Sequence, residues 1–237
     1  AAGRTLTVDG PTMVSDGTIN LTNATVSGTG TFTNQSLLNF NHLSNFTSTV
    51  SLVNEGEFVA RTPVGANGIT PVNGPFTNAA GGNLLIQANG GNGSSARLTA
   101  NAGLTNAGTI TLDSIGLNNN IFAARLDVNG GALVNSGLIE SLEMEEVGGE
   151  VRQINAEIDN RLSGIINVDS RATVTNNKVA AHHSNAGQIN LNSGGLSITS
   201  IGRFDNQTTG AITGRSLTLA GLGVAAGASI TNDGSIA

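Results

Sequence analysis

The stretch LTNAGTITL at 104–112 reads apolar, x, Asn, x, Gly, x, apolar, x, apolar, and the chain repeats it along most of its length. Copies are LVNEGEF at 52–58, FTNAAGGNLLI at 76–86, LVNSGLI at 133–139 and IDNRLSGIINV at 158–168. HSNAGQINL at 183–191, FDNQTTGAI at 204–212 and ITNDGSI at 230–236 follow, with weaker copies VSDGTINL at 14–21 and FTNQSLL at 32–38. The marker positions are Asp16, Asn34, Asn54, Asn78, Asn106, Asn135, Asn160, Asn185, Asn206 and Asn232, spaced 18 to 29 residues apart. Self-similarity at roughly 20–30 residues is the signature of a solenoid, in which each repeat buries its apolar face only by stacking on its neighbours.

Between the markers run short segments in which apolar and polar residues alternate, such as Arg97-Leu98-Thr99, Arg125 to Val128, Ala172 to Thr175, Leu196 to Thr199 and Leu217-Thr218-Leu219. A period of two marks a strand with one buried face. No segment sustains a helical period. The nearest, Leu138 to Glu150, meets Gly148-Gly149 and is expected to be a lateral excursion at most. The chain has no Trp, Tyr or Cys and seven Phe, so its core must rest on stacked Val, Ile, Leu and Ala. The predicted fold is all-β: a single-domain parallel β-helix over residues 1–237, right-handed, of about ten coils of 18 to 29 residues. At about 4.8 Å per coil the rod is on the order of 50 Å long. Loop excursions are expected near 61–95, where Pro63, Pro71, Pro75 and NGGNGSS interrupt the rhythm, and near 140–150. Proline cannot donate to an internal ladder.

Within this fold the markers acquire a structural role. Each follows an inward apolar residue by two positions, at a turn, where Asn tolerates left-handed backbone and the following Gly supplies positive φ if needed. Stacked amides at Asn34, Asn54, Asn78, Asn106, Asn135, Asn160, Asn185, Asn206 and Asn232 are expected to bond to one another and to turn backbone as a ladder.

Charged residues make up 11%, under half of the usual share of about 25%. The formal net charge of −6, with nine Arg and the single Lys178, argues against nucleic acid and anionic membrane surfaces. No apolar run approaches the ~18 residues of a membrane-spanning helix. The Ala1-Ala2-Gly3 start, without a basic-apolar leader, fits a mature or excised product.

The LTNAGTITL-type repeat resembles the β-helical passengers of large bacterial surface proteins, namely filamentous-haemagglutinin-like two-partner adhesins and autotransporter passengers. The resemblance covers most of the chain through one loose motif. It lacks the NPNG or NPNL motif of the two-partner secretion domain, and GANGIT at 65–70 is no substitute. The resemblance implies a secreted or cell-surface structural protein of bacterial origin.

Candidate sites are few. Glu140, Glu143, Glu145, Glu146 and Glu150 form an acidic cluster, read either as a cation site or as a solvated loop. His182-His183 lacks a nearby carboxylate or Cys and is expected at the surface of a turn, with no metal. Arg97 and Arg125 occupy equivalent places in ARLTANAGLTN and ARLDVNGGALVN, on an outer face that is either a ligand patch or solvated. Asp127 and Asp169 lie in separate coils with no near partner visible. Thr-x-Thr motifs do not recur in one phase, which disfavours an ice-binding array. Glycosylation sequons stand at Asn20, Asn23, Asn34, Asn45, Asn92 and Asn206.

The chain stops within a copy of its repeat and starts strand-like, so Arg4, Leu6, Val8, Ile230, Asn232 and Ile236 are expected to form an end-to-end interface. The expected function is a non-enzymatic, extracellular structural subunit that stacks head-to-tail into a surface or matrix filament, such as that of a biofilm. Two alternatives stay open: a stalk fragment of a larger adhesin and a polysaccharide-active enzyme. Expected partners are further copies of the chain and an extracellular glycan or host surface, with no nucleic acid, membrane insertion or cofactor.

Overall fold

The computed structural model describes residues 3–62, 67–89, 94–115, 123–142, 151–169, 174–221, 229–232 and 234–236. They wind into an all-β parallel solenoid, with no helix among them. Each rung contributes one strand to each of three columns. The first column begins Arg4–Val8, Ala24–Gly28 and Asn45–Phe46, the second Thr12–Ser15, Thr31–Asn34 and Ser51–Asn54, and the third Ile19–Leu21, Leu37–Asn41 and Glu57–Arg61. Every strand pairs in parallel with its equivalent one rung away. Ten rungs can be followed among the described residues, and the eight interior ones are paired on both sides. The expected ten coils thus correspond to about eight turns with a neighbour above and below, plus two end rungs.

The alternating pattern places the core. Leu104, Ile110 and Leu112 are buried, with Ile110 stacked between Leu84 and Ile139 in adjacent rungs. Leu98, Leu126 and Ile154 form a second buried column. Five of the seven Phe gather near the amino-terminal end, where Phe32, Phe40, Phe46, Phe58 and Phe76 touch in a chain of ring pairs 5.3 to 5.7 Å apart. Offset and edge-on aromatic pairs of this kind add to plain area burial.

The connections explain why the repeat is irregular. From the second rung to the ninth, the link from second to third column is always two or four residues, as in Asn106 to Thr109 and Asn78 to Asn83. Between Arg61 and Val174 the link from third to first column takes five to nine residues instead. The longest connections therefore fall mainly at this corner, although 222–228 also separate first and second columns on the last rung. Strands Asn67–Val72, Phe76–Asn78 and Asn83–Asn89 fall inside the expected 61–95 excursion and belong to the ladder, while 63–66 and 90–93 lie outside the described residues. Pro71 sits within a paired strand, opposite Thr99. On that strand's other flank only Val72 pairs, with Phe46, so the ladder there is nearly absent and a missing donor is tolerated. Glu140 and Ser141 close the strand Leu138–Ser141, and 143–150 lie outside the described residues.

Two details of the turn differ from expectation. The marker Asn residues do not adopt positive φ; among the described non-glycine residues only Asn23, Leu43 and Ala180 do. The glycine that ends the connection is required by close approach instead. A Cβ on Gly137 would stand 2.1 Å from the Gly108 carbonyl oxygen, and one on Gly108 would stand 2.2 Å from that of Gly82. Rungs only about 4.8 Å apart leave no room for a side chain where their turns overlie one another.

Candidate functional site

The corner between second and third columns holds a continuous amide ladder. Nδ2 of Asn34, Asn54, Asn78, Asn106, Asn135, Asn160 and Asn185 each donates to Oδ1 of the marker Asn one rung on, at 2.7 to 2.8 Å. These side chains and Asn206 are buried. The second Nδ2 proton fastens the next column: Asn106 donates to the Leu138 carbonyl at 3.1 Å and Asn78 to that of Thr109 at 3.0 Å. Every ladder bond points the same way, toward the carboxyl-terminal end. Asn232 stands opposite Asn206 by backbone register. At the other end the column holds Ser15, not Asp16, opposite Asn34. The Ser15 hydroxyl donates to Gly17, so Oδ1 of Asn34 is buried without a partner. Burial of Asn34 and Asn206 also removes two of the six sequons from the folded surface, while Asn20 and Asn23 are exposed and Asn92 lies outside the described residues.

A second, shorter ladder was not foreseen. Asn129 donates to Asn101 at 2.7 Å, Asn101 to Asn73 at 2.6 Å, and Asn73 to the Phe46 carbonyl at 2.8 Å. It runs in the opposite direction to the first. The recurrence of apolar-Asn at Val72-Asn73, Ala100-Asn101 and Val128-Asn129, each 28 residues apart, was the available signal.

Beside this second ladder lies a charged surface. Arg97 and Arg125 face outward on adjacent rungs of the first column, in register with each other. Both place Nε on the Asp127 carboxylate: Arg125 on Oδ1 at 2.7 Å and Arg97 on Oδ2. Asn155 adds a donation to Oδ1 at 2.8 Å. Asp127 is therefore far from partnerless; its side chain is 3% exposed and held by two guanidinium groups and an amide. The only lysine, Lys178, uses two of its ammonium protons on the Val128 and Asn129 carbonyls, at 2.8 and 2.9 Å. Two open cavities of about 310 and 400 Å³ share Arg97 and Arg125 as common wall residues. One extends to Ile69 and Gln153, the other to Asn177, Lys178 and Val179, so together they make one trough along the first column. Three cations and one carboxylate line it, a local balance opposite in sign to that of the whole chain.

The histidines part company. His182 is exposed, but His183 points inward, buried in the second column against Phe204. Strand alternation, with Ala181 and Asn185 also buried, turns it into the core rather than toward solvent. Its Nδ1 accepts the Ile158 amide proton at 3.2 Å, which requires the neutral ring. Burial first, and then His182, lowers its pKa from 6.5 to about 4. A lowered histidine pKa gives stability that is complete above the unfolded value and lost as pH falls toward the folded one. Wild type should therefore lose roughly 3 kcal/mol more than His183→Gln as pH falls from about 6.5 to 4, read by denaturant unfolding. Parallel pH curves for the two proteins would contradict the buried neutral assignment.

Of the expected interface residues, Arg4, Leu6 and Val8 lie on the first rung, with Val8 buried and Arg4 exposed. Ile230 and Asn232 lie on a strand of the last rung, as does Ile236, which is 58% exposed. Among the described residues no group of three or more His, Cys, Asp or Glu could hold a metal ion. Asp169 accepts from the Asn192 amide at 2.6 Å. Comparison of the chain with protein-family models, with curated proteins and with solved structures finds no match in any of the three.

Proposed function

We propose that this chain is a non-enzymatic structural rod of the bacterial cell surface or extracellular matrix, extended by rung-on-rung stacking with further copies of itself. The observation that carries the reading is the regularity of the stack: every column repeats in parallel register and the asparagine ladder donates in one direction, so each rung presents edges on which another can add. Arg4–Val8, Thr12–Ser15 and Ile19–Leu21 already stack in this way on Ala24–Gly28, Thr31–Asn34 and Leu37–Asn41. Among the described residues, 216–221, Ser229–Asn232 and Ser235–Ile236 keep the same three columns against the rung before them. A further copy would stack column for column: first on first, second on second, third on third. Such a joint is heterologous and does not close, so it propagates. It would place Asn232 of one copy in the ladder column next to Ser15 of the following copy.

The same edges serve equally for a stalk whose rungs continue in one longer polypeptide. Negative-stain imaging of residues 1–237 over a concentration series separates the two. Rods that lengthen with concentration are expected. Uniform single particles at the highest concentration would remove self-stacking and leave the stalk. The enzymatic alternative finds little support in Asp127, whose oxygens are held by Arg97, Arg125 and Asn155 and are poorly placed to take a substrate proton. It predicts release of reducing or unsaturated ends from acidic polysaccharides with Ca²⁺; none is expected.

A further inference from the structure

We propose that the trough on the first column is a binding groove for a carboxylated polysaccharide lying along the solenoid axis. It extends from Ile69 past Arg97, Arg125 and Gln153 to Lys178, which spans five successive rungs. At about 4.8 Å per rung that is roughly 20 Å, the reach of an extended polymer rather than of a single small ion.

The donors are arranged for anions. Arg97 and Arg125 meet Asp127 through Nε alone, and neither guanidinium has another hydrogen-bond partner among the described residues. Asp127 thus fixes both guanidinium planes from behind while their terminal amino groups stay available, the arrangement in which arginine recognises carboxylates by paired bonds. Lys178 is pinned by two carbonyls and keeps one ammonium proton. Side-chain amides of Gln153, Asn155, Asn177 and Asn129 line the same trough. Amides suit neutral hydroxyls, which act as both donors and acceptors. A polymer carrying hydroxyls throughout and carboxylates at intervals, a polyuronate, matches both sets.

Nucleic acid fits less well. The chain has no Tyr or Trp, and no aromatic side chain lines the trough to stack a base. The overall charge of −6 does not prevent local attraction, because charges beyond about 8 Å are largely screened at physiological salt.

The test is equilibrium binding of polygalacturonate to the 1–237 chain, with neutral dextran and a single-stranded thymidine oligonucleotide as comparisons. Polygalacturonate is expected to bind, more weakly as salt rises, and dextran not to bind. Arg125→Gln, which leaves Arg97 on Asp127, and Lys178→Gln should each weaken binding by about tenfold or more. Arg203→Gln, at an exposed Arg–Asp pair away from the trough, should bind like wild type. Far-UV circular dichroism and unfolding midpoints confirm that each variant keeps its strands, and Lys178→Gln serves if Arg125→Gln does not. Absent polygalacturonate binding at low salt, equal binding by the folded trough variants, or tighter binding of the oligonucleotide would each overturn the assignment. The inference is independent of self-stacking. Binding by single particles would sustain the groove even where filaments fail to form.

Discussion

Ile110→Asp should abolish cooperative folding of the rungs around it, with a loss of more than about 5 kcal/mol at neutral pH. Ile110 is fully buried at the middle of the rod, between Leu84 on one rung and Ile139 on the next. The substitution forfeits the roughly 1.5–3 kcal/mol of burying an Ile side chain. It also puts a carboxylate where no donor is aimed, in a column of aliphatic side chains. Stability in a solenoid is a sum of nearest-neighbour terms, so a defect at the centre divides the stack. Thr105→Asp is the control. Thr105 is exposed on the same rung and its replacement should change stability by no more than about 0.5 kcal/mol. Denaturant unfolding followed by circular dichroism measures both. An Ile110→Asp protein that unfolds with the wild-type midpoint would show that this face of the strand is not the core.

Asn106→Asp tests the ladder by chemistry rather than by shape, since the two side chains are nearly isosteric. Asn106 accepts from Asn78 and donates to both Asn135 Oδ1 and the Leu138 carbonyl. An ionised Asp keeps the first bond and loses the other two, leaving a charge against two buried acceptor oxygens. The expected loss is on the order of 4 kcal/mol at neutral pH. Burial and the facing oxygens would hold the new carboxyl's folded pKa above its unfolded value. The deficit should therefore be full at high pH and shrink as pH falls toward about 4, because a protonated carboxyl restores one donor. A variant as stable as wild type at neutral pH would mean that the ladder amides are shaped to fit but not energetically coupled.

The ladder was legible in the chain because each marker carries its own context: an inward apolar residue two positions before and a tight connection after. Those local features recur whatever the length of the remaining coil. The mechanism at the turn was less legible. Positive φ at Asn and free rotation at Gly are properties of one strand, whereas the demand on Gly108 and Gly137 comes from the carbonyl of the rung beneath. Sequence reading also misplaced His183, which it took for a polar surface residue. Its inward direction follows from the phase of the strand Ala181–Asn185, set by Asn185 in the ladder.

By itself, then, the sequence determined a parallel stack of similar rungs, the residues that line its interior, and the column of asparagines, since these depend on periodicity along one chain. Only the tertiary structure decided that Asp127 holds two arginines on its own and the preceding rung, and that Lys178 reaches carbonyls at Val128 and Asn129, 50 and 49 residues before it. The physical reason is that such contacts depend on how many residues each third-to-first connection absorbs. Between Arg61 and Val174 that number varies from five to nine without altering the strand pattern on either side, so it is fixed only when the rungs pack in register.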